Sequence, residues 1–212
     1  MFAEALSQPT KSNLALLKEA GLIAPFYLAG GSAAALYLGH RLSFDLDFFS
    51  LQPFAVDDLV SGLSKMGKLK ITEHSAHTLL ASFNGERVSF FLYQYPLLFP
   101  LQSFGGIPLA DVRDLACMKL DTISSRGLRR DFIDLYFISR EGISLEAVFG
   151  LFQKKYAQVN YNLSHLIKGL AYFEDAEKDE MPKMLKPVSW EAVKKFFTEE
   201  SQRLLQKFAR TR

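Results

Sequence analysis

Two aspartates separated by one residue are the side chains in this sequence whose spacing most suggests chemistry. Asp45 and Asp47 lie in an apolar run that predicts a β-strand. Because strand side chains alternate between faces, the two carboxylates point the same way, whereas Phe44, Leu46 and Phe48 point the other way. Two like charges on one face repel each other, so the pair needs a compensating cation. Mg²⁺ suits it, because this ion commonly takes one or two carboxylates together with substrate phosphates.

A glycine-rich turn lies upstream of these aspartates. Gly30 and Gly31 lack Cβ, so the backbone can turn sharply there and let phosphate oxygens approach. Ser32 adds a hydroxyl at the start of a predicted helix, where unpaired backbone amides attract anions. Taken alone, a glycine pair is usually a strand-to-helix turn, and an Asp-x-Asp pair is usually a solvated strand face. Together, in one strand–turn–helix–strand unit, they predict a site for Mg²⁺ and a nucleoside triphosphate (NTP).

These motifs resemble those of the DNA polymerase β-type nucleotidyltransferase superfamily, and more narrowly those of the AbiEii/AbiGii-type nucleotidyltransferase toxins. In the first half of the chain the resemblance is carried by Gly-Gly-Ser, His40-Arg41-x-Ser43 and Asp45-Leu-Asp47-Phe-Phe. In the second half it is carried by Asp114-Leu-Ala-x-Met-Lys119-Leu and Arg126-Gly-x-x-Arg130-Asp131-Phe-x-Asp134-Leu-Tyr136. The resemblance extends from Phe26 to Tyr136, and the residues that follow resemble only a generic helical tail.

The resemblance implies an enzyme that transfers a nucleoside monophosphate from an NTP to an acceptor, with Mg²⁺ held by Asp45 and Asp47. The residues that it implies for nucleotide binding are Gly30, Gly31, Ser32, Arg41, Ser43 and Arg130. Lys119 is expected to neutralise the leaving pyrophosphate, and Asp131 or Asp134 to orient that lysine or the acceptor hydroxyl. The resemblance suggests two partners, an RNA acceptor of tRNA type and an antitoxin protein.

One departure from the superfamily concerns a third metal-binding carboxylate, often found on a strand beside the Asp-x-Asp strand. The corresponding strand is expected over 87–95, where it carries no acid, and Ser89 is the expected occupant of the vacant place. Glu86 is expected at the end of the Asn84-Gly85 hairpin turn. The sequence therefore identifies neither a ligand set for the second metal of a two-metal displacement nor a general base that would activate the acceptor hydroxyl. The alternative function is a nucleotide- or protein-binding module of the same fold that has lost transfer.

The lysine and aspartates of the second half permit two interpretations. Lys119 stands among apolar residues of a predicted helix, so it either extends to water or points into a cleft. Asp131 and Asp134 are three residues apart and share one face of the next predicted helix. Asp131 can also serve as a favourable N-terminal helix charge, whereas Asp134 needs a cation such as Lys119 or Arg130. A structural ion pair and a catalytic orienting group both fit this pattern.

Composition limits the class of protein. The chain has 212 residues, of which 49% are hydrophobic, enough for a substantial core. No apolar run approaches the ~18 residues of a membrane span, and no secretory signal is visible. The single cysteine, Cys117, excludes an intrachain disulfide, fits a cytoplasmic location and is expected to be buried and inert.

Eight basic and three acidic residues from Lys183 to Arg212 indicate either a nucleic-acid-binding helix or an ordinary solvated face.

The predicted fold class is α+β. A nucleotidyltransferase-like mixed β-sheet lobe with flanking helices is expected over residues 1–105, and a helical lobe completing the cleft over 106–212. Helices are predicted over 12–20, 33–38, 56–66, 112–124, 130–139, 144–156, 163–173 and 190–208. Strands are predicted over 26–29, 44–49, 68–73, 78–83 and 88–95. The proline- and glycine-rich segment 96–107 is the expected linker.

Overall fold

The computed structural model describes residues 1–210, and side chains as far as Phe208. Two compact units divide the chain, Met1–Asp111 and Val112–Arg212. The elements of the first unit are α1 (Gln8–Glu19), β1 (Tyr27–Ala29), α2 (Gly30–Leu38), β2 (Leu46–Ser50), α3 (Val56–Met66), β3 (Leu69–Ser75), β4 (Thr78–Phe83), β5 (Glu86–Leu92), β6 (Gln102–Phe104) and β7 (Ile107–Leu109). Those of the second unit are α4 (Val112–Ser125), α5 (Arg129–Arg140), α6 (Leu145–Lys155), α7 (Leu163–Gly169), α8 (Glu174–Lys178) and α9 (Trp190–Arg210).

The first unit is built on a mixed seven-stranded sheet with the strand order β3-β4-β5-β2-β1-β7-β6. β2 runs parallel to β5 and antiparallel to β1, and β7 runs parallel to β1. The hairpin joining β4 to β5 turns at Asn84 and Gly85, both with positive φ, as the sequence predicts. The α+β class and the mixed sheet are confirmed.

The core of this unit lies on one face of the sheet. Leu46 and Phe48 of β2 are buried there beside Phe90 of β5, whose ring stacks on that of Phe48 with centroids 5.1 Å apart. Leu14 and Leu17 of α1 are buried as well. The other face of β2 is left half-buried, and it is the face that carries the aspartates.

Helix α1 begins at Gln8, four residues before the predicted start. The side chain of Ser7 accepts a hydrogen bond from the amide of Thr10, at 3.2 Å, and so caps the helix. Pro9 fits in the first turn, where its missing N–H costs nothing.

Two boundaries near the predicted site differ from expectation. Helix α2 begins at Gly30 rather than residue 33, so both glycines belong to its first turn. Strand β2 begins at Leu46, so Asp45 precedes the strand instead of lying in it. Phe44 is 46% exposed and does not share the buried face of Leu46 and Phe48, because the regular alternation starts only where the strand does.

The expected linker over 96–107 is wrong in its second half, because it contains β6 and enters β7. Gly105 and Gly106 have φ of +56° and +81°, which suits a tight two-residue hairpin turn. Ile107 and Leu109 are buried, and Leu109 pairs with Leu28 of β1. Consequently β7 belongs to the sheet, and the unit ends at Asp111.

The named elements of the second unit, among its described residues, are all helices joined by loops. Phe132 of α5 lies at its centre, with ring centroids 5.3 Å from Phe197 and 5.9 Å from Trp190 of α9. Helix α7 ends at Gly169, earlier than expected, and the short α8 follows where no helix is predicted. Along the described chain, none of the helices combines the length and apolar character needed to cross a membrane.

Candidate active site

The two aspartates occupy a half-buried surface beside the middle of the sheet. Asp47 pairs in register with Ala29 of β1 and with Ser89 of β5. Asp45 lies one residue before the strand, and its Oδ2 is 3.9 Å from Nη1 of Arg87, two residues from Ser89 on β5. Both carboxylates therefore share the face of β5 that carries Arg87 and Ser89, as the two-residue spacing predicts.

The glycines of the first α2 turn make room for charged groups of the protein itself. A Cβ added to Gly30 would lie 2.6 Å from Oδ2 of Asp47, and one added to Gly31 would lie 2.5 Å from Nη2 of Arg41. Gly30 also has φ of +65°, a conformation that favours glycine. The Asp47 carboxylate and the buried Arg41 guanidinium thus lie against the amino end of α2.

Ser32 and Ser43 fasten this end of the helix to the segment before β2. The Ser32 hydroxyl donates to the backbone carbonyl of Asp45 and contacts the Ser43 hydroxyl at 3.0 Å. Both serines are buried. In this arrangement their observed contacts hold the aspartate segment in place, which is a different role from the direct phosphate contact that the sequence suggests for Ser32.

Ser89 is the residue that the sequence predicts at the position of a third carboxylate. It stands directly across from Asp47 in the parallel β2–β5 register and is buried, and Glu86 lies at the start of β5, beside the hairpin turn. Within the described residues there is no cluster of three or more His, Cys, Asp or Glu side chains able to hold a metal.

The donor set fits a hard divalent cation. Carboxylate oxygens are the ligands that Mg²⁺ prefers, and this ion ordinarily completes its shell with water and substrate phosphate. The glycine turn leaves the Asp47 carboxylate close to the amino end of α2, where helix amides favour anions. Asp45 and Asp47 are therefore the residues that could hold the cation, with phosphate beside the helix.

In the second unit, Lys119 is bracketed by two buried aspartates. Its Nζ lies 2.9 Å from Oδ1 of Asp131 and 2.7 Å from Oδ2 of Asp134. The lysine side chain is 6% exposed and both aspartate side chains are fully buried. The Asp131–Asp134 spacing on α5 thus brings both carboxylates to one lysine of α4, as the sequence suggests.

Arg126 extends this charge cluster towards the surface. Its Nε donates to Oδ2 of Asp131 at 3.3 Å. Burial opposes ionisation of the Asp131 carboxyl, but the charges of Lys119 and Arg126 outweigh that effect and hold its pKa below the ordinary value. Arg130, in contrast, is half-buried in the first turn of α5 and makes no ion pair within the described part of the chain.

A second buried ion pair is not evident from the sequence. Nζ of Lys155 on α6 lies 2.7 Å from Oδ1 of Asp114 on α4, and both side chains are fully buried. Lys155 follows Lys154 at the end of α6, where basic residues are usual on a solvated helix. Only the burial of its side chain in the structure distinguishes it as a member of an internal ion pair. Cys117 is buried near this pair, as expected, and burial raises the pKa of its thiol to about 12.

The basic carboxyl-terminal helix makes ion pairs within its own unit. Arg203 and Lys207 of α9 contact Glu146 of α6, at 3.1 and 2.5 Å, and Lys194 contacts Glu177 at 2.7 Å. These pairs favour the interpretation of α9 as a solvated helix with mixed charges. The predicted positions Arg210 and Arg212 lie outside the residues whose side chains are described.

Comparison with known proteins places the chain in a family. The family model described as "Nucleotidyl transferase AbiEii toxin, Type IV TA system" matches residues 83–210. The chain is also 36% identical over 197 residues to "Uncharacterized protein aq_aa25" of Aquifex aeolicus, covering 91% of this chain and 94% of that protein.

Two solved structures share the fold. JHP933 from Helicobacter pylori aligns with a TM-score of 0.56 and 16% identity, covering 97% of this chain and 96% of that one. MenT4, the nucleotidyltransferase toxin Rv2826c from Mycobacterium tuberculosis H37Rv, aligns with a TM-score of 0.56 and 16% identity, covering 91% and 84%. With the family match over more than half of its length, the chain belongs to the AbiEii nucleotidyltransferase toxins and is itself a nucleotidyltransferase.

Proposed function

We propose that this nucleotidyltransferase is Mg²⁺-dependent and transfers a nucleoside monophosphate from an NTP to RNA. The observation that carries the proposal is the position of the Asp47 carboxylate against Gly30, at the amino end of α2. Oxygen ligands and a helix amino terminus then lie side by side, which is what a metal-bound triphosphate requires.

The nucleotide is assigned to the amino end of α2. The first-turn amides of Gly30 and Gly31 offer donors to phosphate oxygens, and the guanidinium of Arg41 beside Gly31 adds a fixed positive charge. Ser32 and Ser43 serve the site indirectly, because their contacts fix the backbone that carries Asp45. Arg130 is assigned to the nucleotide on the family resemblance of its motif.

The reaction is an in-line displacement at the α-phosphorus. The acceptor hydroxyl oxygen forms a bond to that phosphorus and its proton is released to solvent, while the bond to the bridging oxygen breaks and pyrophosphate leaves. Mg²⁺ held by Asp45 and Asp47 would offset charge on the phosphate oxygens. Lys119 is assigned to neutralise pyrophosphate, and Asp134, or Asp131, to orient the Lys119 ammonium or the acceptor hydroxyl.

The partners follow from the family. MenT4 is described as a nucleotidyltransferase toxin, and the matching family model names a toxin–antitoxin system. We assign to this chain an RNA acceptor of tRNA type, an antitoxin protein encoded separately, and a cytoplasmic location. The test of the antitoxin is whether a neighbouring gene product relieves growth arrest caused by expression of this chain.

The test of the reaction is transfer of label from α-labelled NTPs to total RNA in the presence of Mg²⁺. Wild type should label RNA, and D47N should lower the rate at least ~100-fold, because a carboxylate at the reacting phosphates is lost. D57N changes an exposed aspartate in the first turn of α3 and should label RNA as wild type does. Wild type that labels no RNA, or D47N that matches it, contradicts the proposal.

The position of Ser89 favours one second candidate, a module that binds Mg-NTP without transferring it. Thermal unfolding separates the two functions. An NTP at 100 times its dissociation constant adds about 2.7 kcal/mol to the free energy of unfolding. Stabilisation by Mg-NTP without labelling of RNA, protein or small acceptors supports the module, whereas labelling excludes it.

A further inference from the structure

The side chain of Arg126 is held at one edge and exposed at the other. Its Nε donates to Oδ2 of the fully buried Asp131, yet 51% of the arginine side chain is accessible to solvent. Asp131 is the only carboxylate that Arg126 contacts among residues 1–208. One edge of a planar guanidinium is thus fixed from beneath, and its outer N–H donors face water.

The backbone that carries Arg126 is fixed too. Helix α4 ends at Ser125, and the amides of Arg126 and Gly127 both donate to the carbonyl of Thr122, at 2.9 and 3.0 Å. Gly127 has φ of +52°, the left-handed conformation typical of a helix carboxyl terminus. Arg126 is therefore set at a defined position instead of moving with a loop, which lowers the entropic cost of binding.

Arg126 is the exposed cation of the cluster that it forms with Lys119, Asp131 and Asp134. Asp131 gives one oxygen to Lys119 and the other to Arg126, and Lys119 also contacts Asp134. The Lys119 side chain is 6% exposed and that of Arg126 is 51% exposed, so an added anion is met by the exposed edge of Arg126 rather than by the buried lysine. A guanidinium fork matches the oxygens of a phosphate group in geometry and charge.

The neighbouring arginine of the same motif region is used differently. Arg129 lies over the ring of Trp190, 5.1 Å from its centroid, and donates to the carbonyl of Ala176 and to Glu177. Those contacts are internal to the helical unit, so Arg129 serves packing. Arg126 has the exposed donors that a ligand could use.

From this geometry we propose that Arg126 is a phosphate-binding residue of the enzyme, oriented by the buried carboxylate of Asp131. The inference rests on the proposed function, because it takes the phosphate from a substrate of that reaction. The phosphate belongs either to the NTP or to the backbone of the acceptor RNA. Both sources present the same oxygens, and the experiment below separates them.

The experiment measures binding by wild type, R126Q and R126K. A non-hydrolysable NTP is titrated with Mg²⁺ by calorimetry, and total tRNA is titrated across a range of salt concentrations. R126Q should weaken binding of one of them at least about tenfold, because a charge-assisted hydrogen bond is lost. R126K, which keeps the charge but loses the fork, should fall between R126Q and wild type.

The pattern of loss identifies the source. A rise in the dissociation constant of the NTP assigns Arg126 to the nucleotide. Unchanged NTP binding, with weaker tRNA binding and a salt slope lower by about one, assigns it to the RNA backbone. The matched control is R140Q, which removes an exposed arginine at the other end of α5 and should leave both titrations unchanged.

Four results overturn the inference. R126Q that binds both ligands as wild type does leaves Arg126 with a structural role alone, and an equal loss in R140Q shows a general charge effect. If R126Q unfolds, the test is made with R126K. Wild-type affinity for both ligands in folded R126K contradicts binding of phosphate by the guanidinium fork of Arg126. Wild type that binds neither ligand removes the proposed function as well, whereas the other three results leave it intact.

Discussion

The carboxylate of Asp47 lies directly against Gly30, so close that a Cβ on Gly30 would stand 2.6 Å from Asp47 Oδ2. The two residues are 17 positions apart, on α2 and β2, and meet because β1 and β2 are antiparallel neighbours. The same turn lets the Arg41 guanidinium lie against Gly31. The glycine pair therefore sets the distance between the proposed metal-binding acid and the amino end of a helix.

Replacing Gly30 with alanine tests this spacing. G30A should lower the free energy of unfolding by about 1–3 kcal/mol, because it combines a positive φ with a clash against Asp47. Nucleotide transfer should fall further than the folded fraction does, since the carboxylate must move. Urea unfolding and initial rates of RNA labelling, measured at a temperature where G30A remains folded, check both effects.

The matched control is G150A. Gly150 is an exposed helical glycine in α6, and a Cβ there meets no atom within 4 Å. This substitution should raise stability by about 0.5–1 kcal/mol and leave labelling unchanged. A G30A protein as active as wild type would show that the contact with Asp47 is not needed.

Removal of the Ser32 hydroxyl should loosen the aspartate segment. S32A loses the bond to the Asp45 carbonyl and the contact with Ser43, and it leaves that carbonyl without this donor. A loss of about 1–3 kcal/mol in unfolding free energy is expected, together with weaker Mg²⁺-dependent NTP binding. S64A, at an exposed position of α3, is the control and should change neither quantity. Unchanged NTP binding in S32A would separate the serine from the site.

The buried position of Lys119 predicts a large effect on stability. K119M would leave Asp131 and Asp134 without their shared cation, and losing one partner of a buried pair costs about 3–5 kcal/mol. K168M changes an exposed lysine of α7 and should stay within about 0.5 kcal/mol of wild type. Urea denaturation measures both. A K119M protein as stable as wild type would refute the ion-pair account.

The depressed pKa of Asp131 predicts how stability depends on pH. Burial disfavours the charged carboxylate, but Lys119 and Arg126 bring its folded-state pKa below the unfolded value of about 3.9. Ionised Asp131 therefore stabilises the fold above about pH 4, and this contribution is lost as the pH falls below that value towards the folded-state pKa.

D131N, which cannot titrate, tests this dependence. Its unfolding free energy should be lower than that of wild type at pH 7, and the difference should shrink between pH 4 and pH 3. D58N, at an exposed position of α3, should instead track wild type at each pH. Urea midpoints at pH 7, 5, 4 and 3 provide the comparison. A difference between wild type and D131N that is the same at every pH would contradict the assignment.

Local pattern was enough to predict the elements around the carboxylates. The two-residue spacing predicts one face for Asp45, just before β2, and Asp47, within it, and the Asn84-Gly85 turn predicts the antiparallel register of β4 and β5. The three-residue spacing of Asp131 and Asp134 likewise predicts one helix face. These features depend on residues close in sequence, so they can be read from one chain.

Features that depend on contacts distant in sequence could not be predicted. The position of Arg41 over Gly31 follows from the return of the chain after α2, and the pairing of Lys155 with Asp114 spans 41 residues. Strands β6 and β7 are three residues each, too short for a periodic signal, and exist because β1 provides an edge for Leu109. The early start of α2 escapes prediction because glycine is a poor helix former.

The most direct test of the account is calorimetric titration of a non-hydrolysable NTP into wild type and D47N, with Mg²⁺ and with EDTA. We expect wild type to bind the NTP in Mg²⁺ and to lose at least about tenfold in affinity in EDTA, and we expect D47N to bind equally weakly in both. Affinity that is independent of Mg²⁺, or that D47N retains in full, would contradict the claim that these aspartates hold a metal-bound triphosphate.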